Sequence, residues 1–429
     1  MKIVGLITEY NPFHNGHEYH IQKSKEVTGA DAVIVVMSGN FVQRGAPAIM
    51  PKHLRAKVAL KSGASLVLEL PVCFSTGSAE YFAQGAVALL DSLGCVDSLC
   101  FGSECGEIDS LTRIAQVLAD EPEDYRMILR SYLKEGIAFP RAREKALSDY
   151  LKDRSLSRIL SSPNNTLGVE YIKALIRLKS SIRPYTILRK DSRYHADTLE
   201  TDGGFSSATA IRKLLLFSGS SLRTDMDTPY DEPKLSSVLT RLEDHVPPEC
   251  VSLLERTHLI RYPVYSNDFS LLVKYQLMQE SRGTLTRYAD ISEELANRIM
   301  KHLNDFQNFD QFCDLLKTKE VTYSRISRAL LHVILGIRSS LFEQLREDRM
   351  VHYARMLGFV RKDREVLSLI KNRSSVPLIP KLSDMDALSE RGEQMLHLDI
   401  FASNLYESVI SNKFKTPFCN EYSHPLVIV

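Results

Sequence analysis

The chain has 429 residues and a mass of 48.6 kDa, enough for two or three domains of ordinary size. Hydrophobic residues make up 44% and charged residues 25%, which excludes wholesale disorder and collagen-like structure. Lys+Arg 54 stands against Asp+Glu 53, so nothing draws the whole chain to nucleic acid and any such surface must be a local patch. The seven cysteines form no CxxC pair, which fits a reducing, cytoplasmic setting. No apolar run reaches the ~18 residues of a membrane span. The opening MKIVGLITEY is interrupted too soon for a signal peptide and reads as a strand. No membrane and no protein partner is implied.

Residues 2–8 form an apolar, β-branched run, the first predicted strand. Helical spacing follows over 17–27, a second strand over 31–37 and a basic amphipathic helix over 51–62. A third strand spans 65–70, a helix 79–93 ends at Gly94, and a fourth strand spans 98–101. Residues 107–180 read as a helical insertion before a fifth strand at 183–188. Apolar strands alternating with amphipathic helices predict an α/β fold, a Rossmann-like parallel sheet covered on both faces. Residues 1–217 would form that domain, and 218–233, rich in Ser, Thr, Asp and Pro, a linker. Residues 234–429 read as a mainly helical second domain, with short strands expected at 375–379 and in the tail PLVIV.

The strongest chemical signal directly follows the first strand. TEYNPFHNGHEYH, 8–20, places His14-Asn15-Gly16-His17 at a strand-to-helix junction. Backbone N–H groups at a helix start attract phosphate, and imidazoles three residues apart share a face. They can stabilise charge that builds as an α-phosphate is attacked. Gly16 lets a nucleotide approach the backbone, and Asn11-Pro12 presets the turn. His14, His17 and His20 also have zinc-ligand spacing, but Gly16 and the strand–turn–helix context have no metal rationale, so no metal site is expected. After the fifth strand, Phe205-Ser206-Ser207-Ala208-Thr209-Ala210-Ile211-Arg212 opens a helix. Ser206 or Ser207 can cap it, and Arg212 can neutralise the phosphates that leave.

These two elements resemble those of the HIGH-type nucleotidyltransferases. The stretches GLITEYNPFHNGHEYH, SGNFVQRGAPA, LELPVCFSTGSAEYFAQGAV, CFGSE, SPNNTLGVEYIKAL, SATAIRK, TYSRISRALLHVILGI and MLGF are together similar to the tRNA(Met) cytidine acetate ligases. That resemblance implies an enzyme that activates free acetate with ATP, releasing pyrophosphate. It then transfers acetyl from acetyl-adenylate to the wobble cytidine amine of elongator tRNA(Met), forming N4-acetylcytidine. His14, His17 and Arg212 would be catalytic. The implied ATP contacts are Ile7, Thr8, Glu9, Tyr10, Asn11, Pro12, Phe13, His14, Asn15, Gly16, His17, Glu18, Tyr19 and His20, with Gly102, Asn164, Arg189, Ser206 and Ser207. Mg²⁺ would be held mainly by the phosphates.

Each of these residues also has a plain reading. Gly102 is a turn glycine, Asn164 or its neighbour Asn165 a helix cap, and Arg189 a surface charge. For tRNA, Lys52 and Arg55 give the 51–62 helix a basic face, and Arg325 and Arg328 lie at i, i+3 on a later helix. Solvated, charge-laced helices are the ordinary alternative. Other readings of the whole chain are a small-molecule adenylyltransferase and a non-catalytic RNA-binding protein.

Overall fold

The computed structural model describes residues 1–189, 199, 205–216 and 235–429. The predicted linker, 218–233, lies outside the described residues. Five strands align in parallel: β1 (Ile3–Thr8), β2 (Ala32–Ser38), β5 (Leu66–Leu70), β6 (Ser98–Ser103) and β7 (Arg183–Leu188). Between them in sequence, β3 (Phe41–Val42) and β4 (Ala46–Pro47) form a small hairpin. The sequence predicts all five parallel strands within a residue or two. β1, β2 and β5 are buried along their whole length, as their unbroken apolar runs require.

The spatial order is β5-β2-β1-β6-β7. The chain moves outward on one side of β1, then crosses back and continues on the other. That is the Rossmann strand order, and its reversal lies between β1 and β6. Open α/β sheets bind ligands at such a point, beyond the carboxyl ends of the strands. Five helices fill the crossover from β6 to β7, the last being Pro163–Leu178. Among the described residues, no helix is long and apolar enough to cross a membrane.

The second half is mainly helical, as predicted, but it also extends the sheet. β8 (Ala354–Phe359) runs antiparallel to β5, and β9 (Leu378–Ile379) and β10 (Val427–Ile428) pair with β8. β9 and β10 fall where short strands are expected; β8 does not follow from the sequence periodicity. One apolar cluster continues from Ile34, Leu68 and Leu90 to Leu330, Leu396 and Tyr406. Burying a side chain of this size contributes roughly 1.5–3 kcal/mol.

The four residues of the expected RNA surface are buried or paired within the fold. Lys52 is buried, and its Nζ lies 2.7 Å from each Glu69 carboxylate oxygen and 2.8 Å from Glu421. Arg55 is fully buried and donates to the carbonyls of Glu9, Ser38, Gly39 and Met50. Arg328 is buried and paired with Asp290 at 2.8 Å. Arg325 is half-buried and donates to the Asp290 carbonyl. A charged residue in a helix repeat looks the same in sequence whether its face meets water or a buried carboxylate. Only the fold distinguishes these cases.

Candidate active site

The turn after β1 builds one wall of a cavity of about 470 Å³ at the strand-order reversal. Tyr10 adopts φ +48, and the chain then enters the helix Asn15–Thr28. His14 is that helix's N-cap. Its Nδ1 accepts from the Gly16 amide at 3.1 Å, while His17 Nδ1 accepts from the His14 amide at 3.2 Å. This is a capping box made of two histidines. Their rings stack with centroids 3.6 Å apart. Because each Nδ1 accepts from an amide, each neutral ring carries its proton on Nε2. The motif thus offers two N–H donors beside a helix N-terminus, where an anion is favoured.

Burial sets the charge state of these rings. It lowers the His14 pKa to about 3, with help from the Arg189 and Arg212 charges. It lowers His20 to about 4, and His17 well below the usual imidazole range. All three are neutral donors or acceptors near pH 7. The cations of the cavity are Arg44, Arg189 and Arg212. Arg212 donates to the Asn11 carbonyl at 2.6 Å and to the Thr209 hydroxyl at 3.1 Å, which aims it at the histidine turn.

The β3–β4 hairpin brings Gln43 and Arg44 to the rim. Gly45 at φ +79 packs so tightly on Ser327–Arg328 that a Cβ would collide with the Arg328 amide. Ser327 Oγ closes this contact by donating to the Gly45 carbonyl at 2.6 Å. Glu9 accepts the Gln43 amide at 2.9 Å and so holds hairpin and turn together.

Apolar and aromatic side chains also line the cavity. Phe82, Phe101, Leu167, Tyr171 and Leu188 line it beside Gly102. A Cβ on Gly102 would sit 3.1 Å from Arg189 Cγ, so a side chain there would press on the arginine. Glu104 organises this wall. It accepts the Asn165 amide at 2.8 Å and the Asn164 carboxamide at 2.8 Å. Asn165 in turn accepts the amides of Glu104 and Cys105 at 2.9 and 3.1 Å.

Of the residues expected at the site, Ile7, Thr8, Glu9, Tyr10, Asn11, His14, Gly16, His17, Tyr19 and His20 line the cavity. So do Gly102, Asn164, Arg189, Ser207 and Arg212. Pro12, Phe13, Asn15, Glu18 and Ser206 do not. Phe13 is buried against Tyr10, and Asn15 donates to the Asp244 carbonyl. Ser206 turns inward to His245 at 3.0 Å, whereas Ser207 accepts the Ala210 amide and caps its helix at the cavity. Sequence reading alone missed Glu104 and the aromatic wall. The CFGSE string contains both Phe101 and Glu104, but a pairing across 60 residues has no local signature.

A sequence profile described as HIGH Nucleotidyl Transferase matches residues 1–419. The tRNA(Met) cytidine acetate ligase of Acetivibrio thermocellus is 40% identical over 432 residues, covering all of both chains. That of Thermoanaerobacter sp. is 41% identical over 429 residues, again covering both chains completely. A crystal structure of Thermotoga maritima TmcAL bound with alpha-thio ATP superposes with a TM-score of 0.88 at 31% identity over the full length of both chains. Its apo form superposes with a TM-score of 0.90 at the same identity and coverage. The chain belongs to the HIGH nucleotidyltransferase family and, within it, to the tRNA(Met) cytidine acetate ligases.

Proposed function

We propose that this protein is an ATP-dependent ligase that acetylates the wobble cytidine of elongator tRNA(Met) at N4, using free acetate. The observation that carries this reading is the cavity itself. A histidine-capped helix start and three arginines face an aromatic wall at the strand-order reversal, in a chain about 40% identical to such ligases throughout. The aromatic wall and Gly102 suit adenine. The His14–His17 turn, Arg189 and Arg212 suit the phosphates.

Acetate is weakly electrophilic at its carbonyl, and its oxide is a poor leaving group. Attack of an acetate oxygen on the α-phosphorus forms one P–O bond as the bond to pyrophosphate breaks. His14 and His17 can donate from Nε2 to the α-phosphate oxygens as charge gathers there, and Arg212 can neutralise the departing pyrophosphate. The cytidine amine then attacks the acetyl carbon of the mixed anhydride. AMP leaves with the bonding pair, and the amine loses a proton. Among the described residues, Glu9 and Glu104 are the cavity carboxylates, and both already accept backbone amides. Mg²⁺ therefore fits this site held chiefly by the triphosphate and water.

The tRNA surface belongs with exposed cations rather than with Lys52 and Arg55. Arg130, Lys134, Arg141, Lys152 and Arg158 are exposed on the helices of the β6–β7 crossover. Those helices lead into the helix Pro163–Leu178, whose Asn164 lines the cavity and whose Asn165 donates to the Ile159 carbonyl at 3.0 Å. The unstacked base would enter from this side. Such a reaction belongs in the cytoplasm.

Incubation with ATP, labelled acetate and total tRNA tests the reading. Label in tRNA supports it. ATP turnover that needs a nucleotide-like acceptor supports a small-molecule adenylyltransferase, and ATP binding without turnover supports a non-catalytic protein.

A further inference from the structure

Far from the cavity in sequence, the C-terminal tail returns to the first turn of the helix Lys52–Lys61. There His53, Glu421 and His424 present one potential ligand atom each, all within 4.8 Å of one another. The two imidazoles stack with centroids 4.4 Å apart and planes 21° from parallel. Among the described residues, His53 Nδ1 has no hydrogen-bonding partner although it is buried, and Nε2 faces only the Glu421 carboxylate. Its Nε2 lies 3.5 Å from Glu421 Oε1, longer than a hydrogen bond. A buried imidazole with an unpartnered nitrogen is costly, and the ribose, phosphate and acetate chemistry of the active site gives it no task.

From this geometry we propose that His53, Glu421 and His424 form a binding site for a divalent transition metal ion, with Zn²⁺ the best fit. Two imidazoles and one carboxylate are a donor set that Zn²⁺ accepts with water in the fourth position. Tetrahedral bonds of about 2.0–2.1 Å place ligand atoms about 3.3 Å apart, so from separations within 4.8 Å the site must contract by up to about 1.5 Å. His424 is half-exposed, lies in the terminal segment and can make that movement while leaving an entry path for the ion.

The surroundings match what a ligating carboxylate needs. Glu421 Oε1 already takes Lys52 Nζ at 2.8 Å and Arg355 at 3.1 Å. These cations orient the carboxylate, whose Oε1 also faces His53 Nε2 at 3.5 Å. Glu69 faces the same two cations, 2.7 Å from Lys52 and 3.8 Å from Arg355, and offsets the positive charge that an ion would otherwise meet. Burial keeps both imidazoles in the neutral form that binds metal. The ion would tie the tail, including β10, to the helix beside the sheet. Its role would be to hold the two halves together, with no part in the adenylation chemistry.

The test uses the full-length protein without nucleotide. Equilibrium dialysis against Zn²⁺, read by elemental analysis, should give one ion per chain. Co²⁺ should give the intense visible bands of a four-coordinate site. His424→Ala alters a half-exposed residue and should fold normally. It should lose at least the ~10–100-fold in affinity that removal of even an outer partner costs. His53→Gln should behave alike. His17→Ala should bind as wild type, which separates this site from the histidine turn of the active site. Absence of a stoichiometric ion in the wild-type protein would overturn the proposal. So would wild-type affinity in His424→Ala.

Discussion

Two groups of cations, one buried and one lining the cavity, are answered differently. Around Lys52 and Arg355, carboxylates answer the charge directly: Glu69 and Glu421 lie within 4 Å of both. Around the cavity, Arg212 is held by the Asn11 carbonyl and the Thr209 hydroxyl, and the neighbouring imidazoles are kept neutral. The first arrangement is closed, and an added anion would gain nothing there. In the second, neutral oxygens orient Arg212, so a triphosphate bound as proposed would meet positive charge that is already aimed. Burial together with direct pairing to carboxylates sets Lys52 and Arg355 apart from Arg212.

Breaking the closed group should have the largest effect. Lys52→Met leaves Glu69 and Glu421 with Arg355 as their remaining cation, and loss of one partner of a buried pair costs roughly 3–5 kcal/mol. Urea unfolding should show this as a large fall in midpoint, whereas a small shift would mean that water reaches the network. In the open group the effect falls on rate instead. His17→Ala and Arg212→Ala should cut acetyl-adenylate formation by roughly 10²–10³, as removal of an oxyanion donor does, with the unfolding midpoint little changed. Near-normal adenylate formation in both variants would remove these residues from the chemistry.

A smaller effect concerns pH. His14 and His20 have pKa values depressed to about 3 and about 4, below the unfolded value near 6.5. Their contribution to stability is complete above pH 6.5 and is lost as pH falls toward 4 and then 3, because the unfolded chain binds more protons. Unfolding curves from pH 7 to pH 4 should show this decline, and His20→Gln should shallow it. An unchanged slope in that variant would place the acid sensitivity elsewhere. Smallest for the fold, though not for RNA, is reversal of exposed charge. Arg130→Glu with Lys134→Glu and Arg141→Glu should weaken tRNA binding and flatten its salt dependence, leaving ATP binding intact. Arg325→Glu should do less, since that side chain is spent on the Asp290 carbonyl. The reverse ranking would put the tRNA on the helix Tyr323–Leu335.

The same contrast explains what could be read from sequence. The five parallel strands and the histidine turn were legible, because apolar runs and HNGH are local patterns. β8 was not. ARMLGF, 354–359, has a charged second residue and no alternation, and it becomes a strand because β5 offers an antiparallel edge. Gly358 fits there because the Val427 carbonyl passes at 2.5 Å from where a Cβ would stand, a constraint set 69 residues away. Lys52 and Arg55 looked like an RNA-facing stripe for the same reason. Their carboxylate and carbonyl partners come from other elements, and helical period reports only that a face is special, not what covers it.

The central claim is that this cavity makes an acetyl-adenylate. It is tested most directly by nucleoside mass spectrometry of tRNA(Met) after reaction with each possible donor. His17 and Arg212, in the triphosphate-handling role proposed for them, would bring nothing to an acetyl-CoA enzyme. N4-acetylcytidine should therefore form with ATP and acetate, with AMP and pyrophosphate released, and should not form with acetyl-CoA alone. The opposite result, N4-acetylcytidine from acetyl-CoA alone and none from ATP with acetate, would contradict the account.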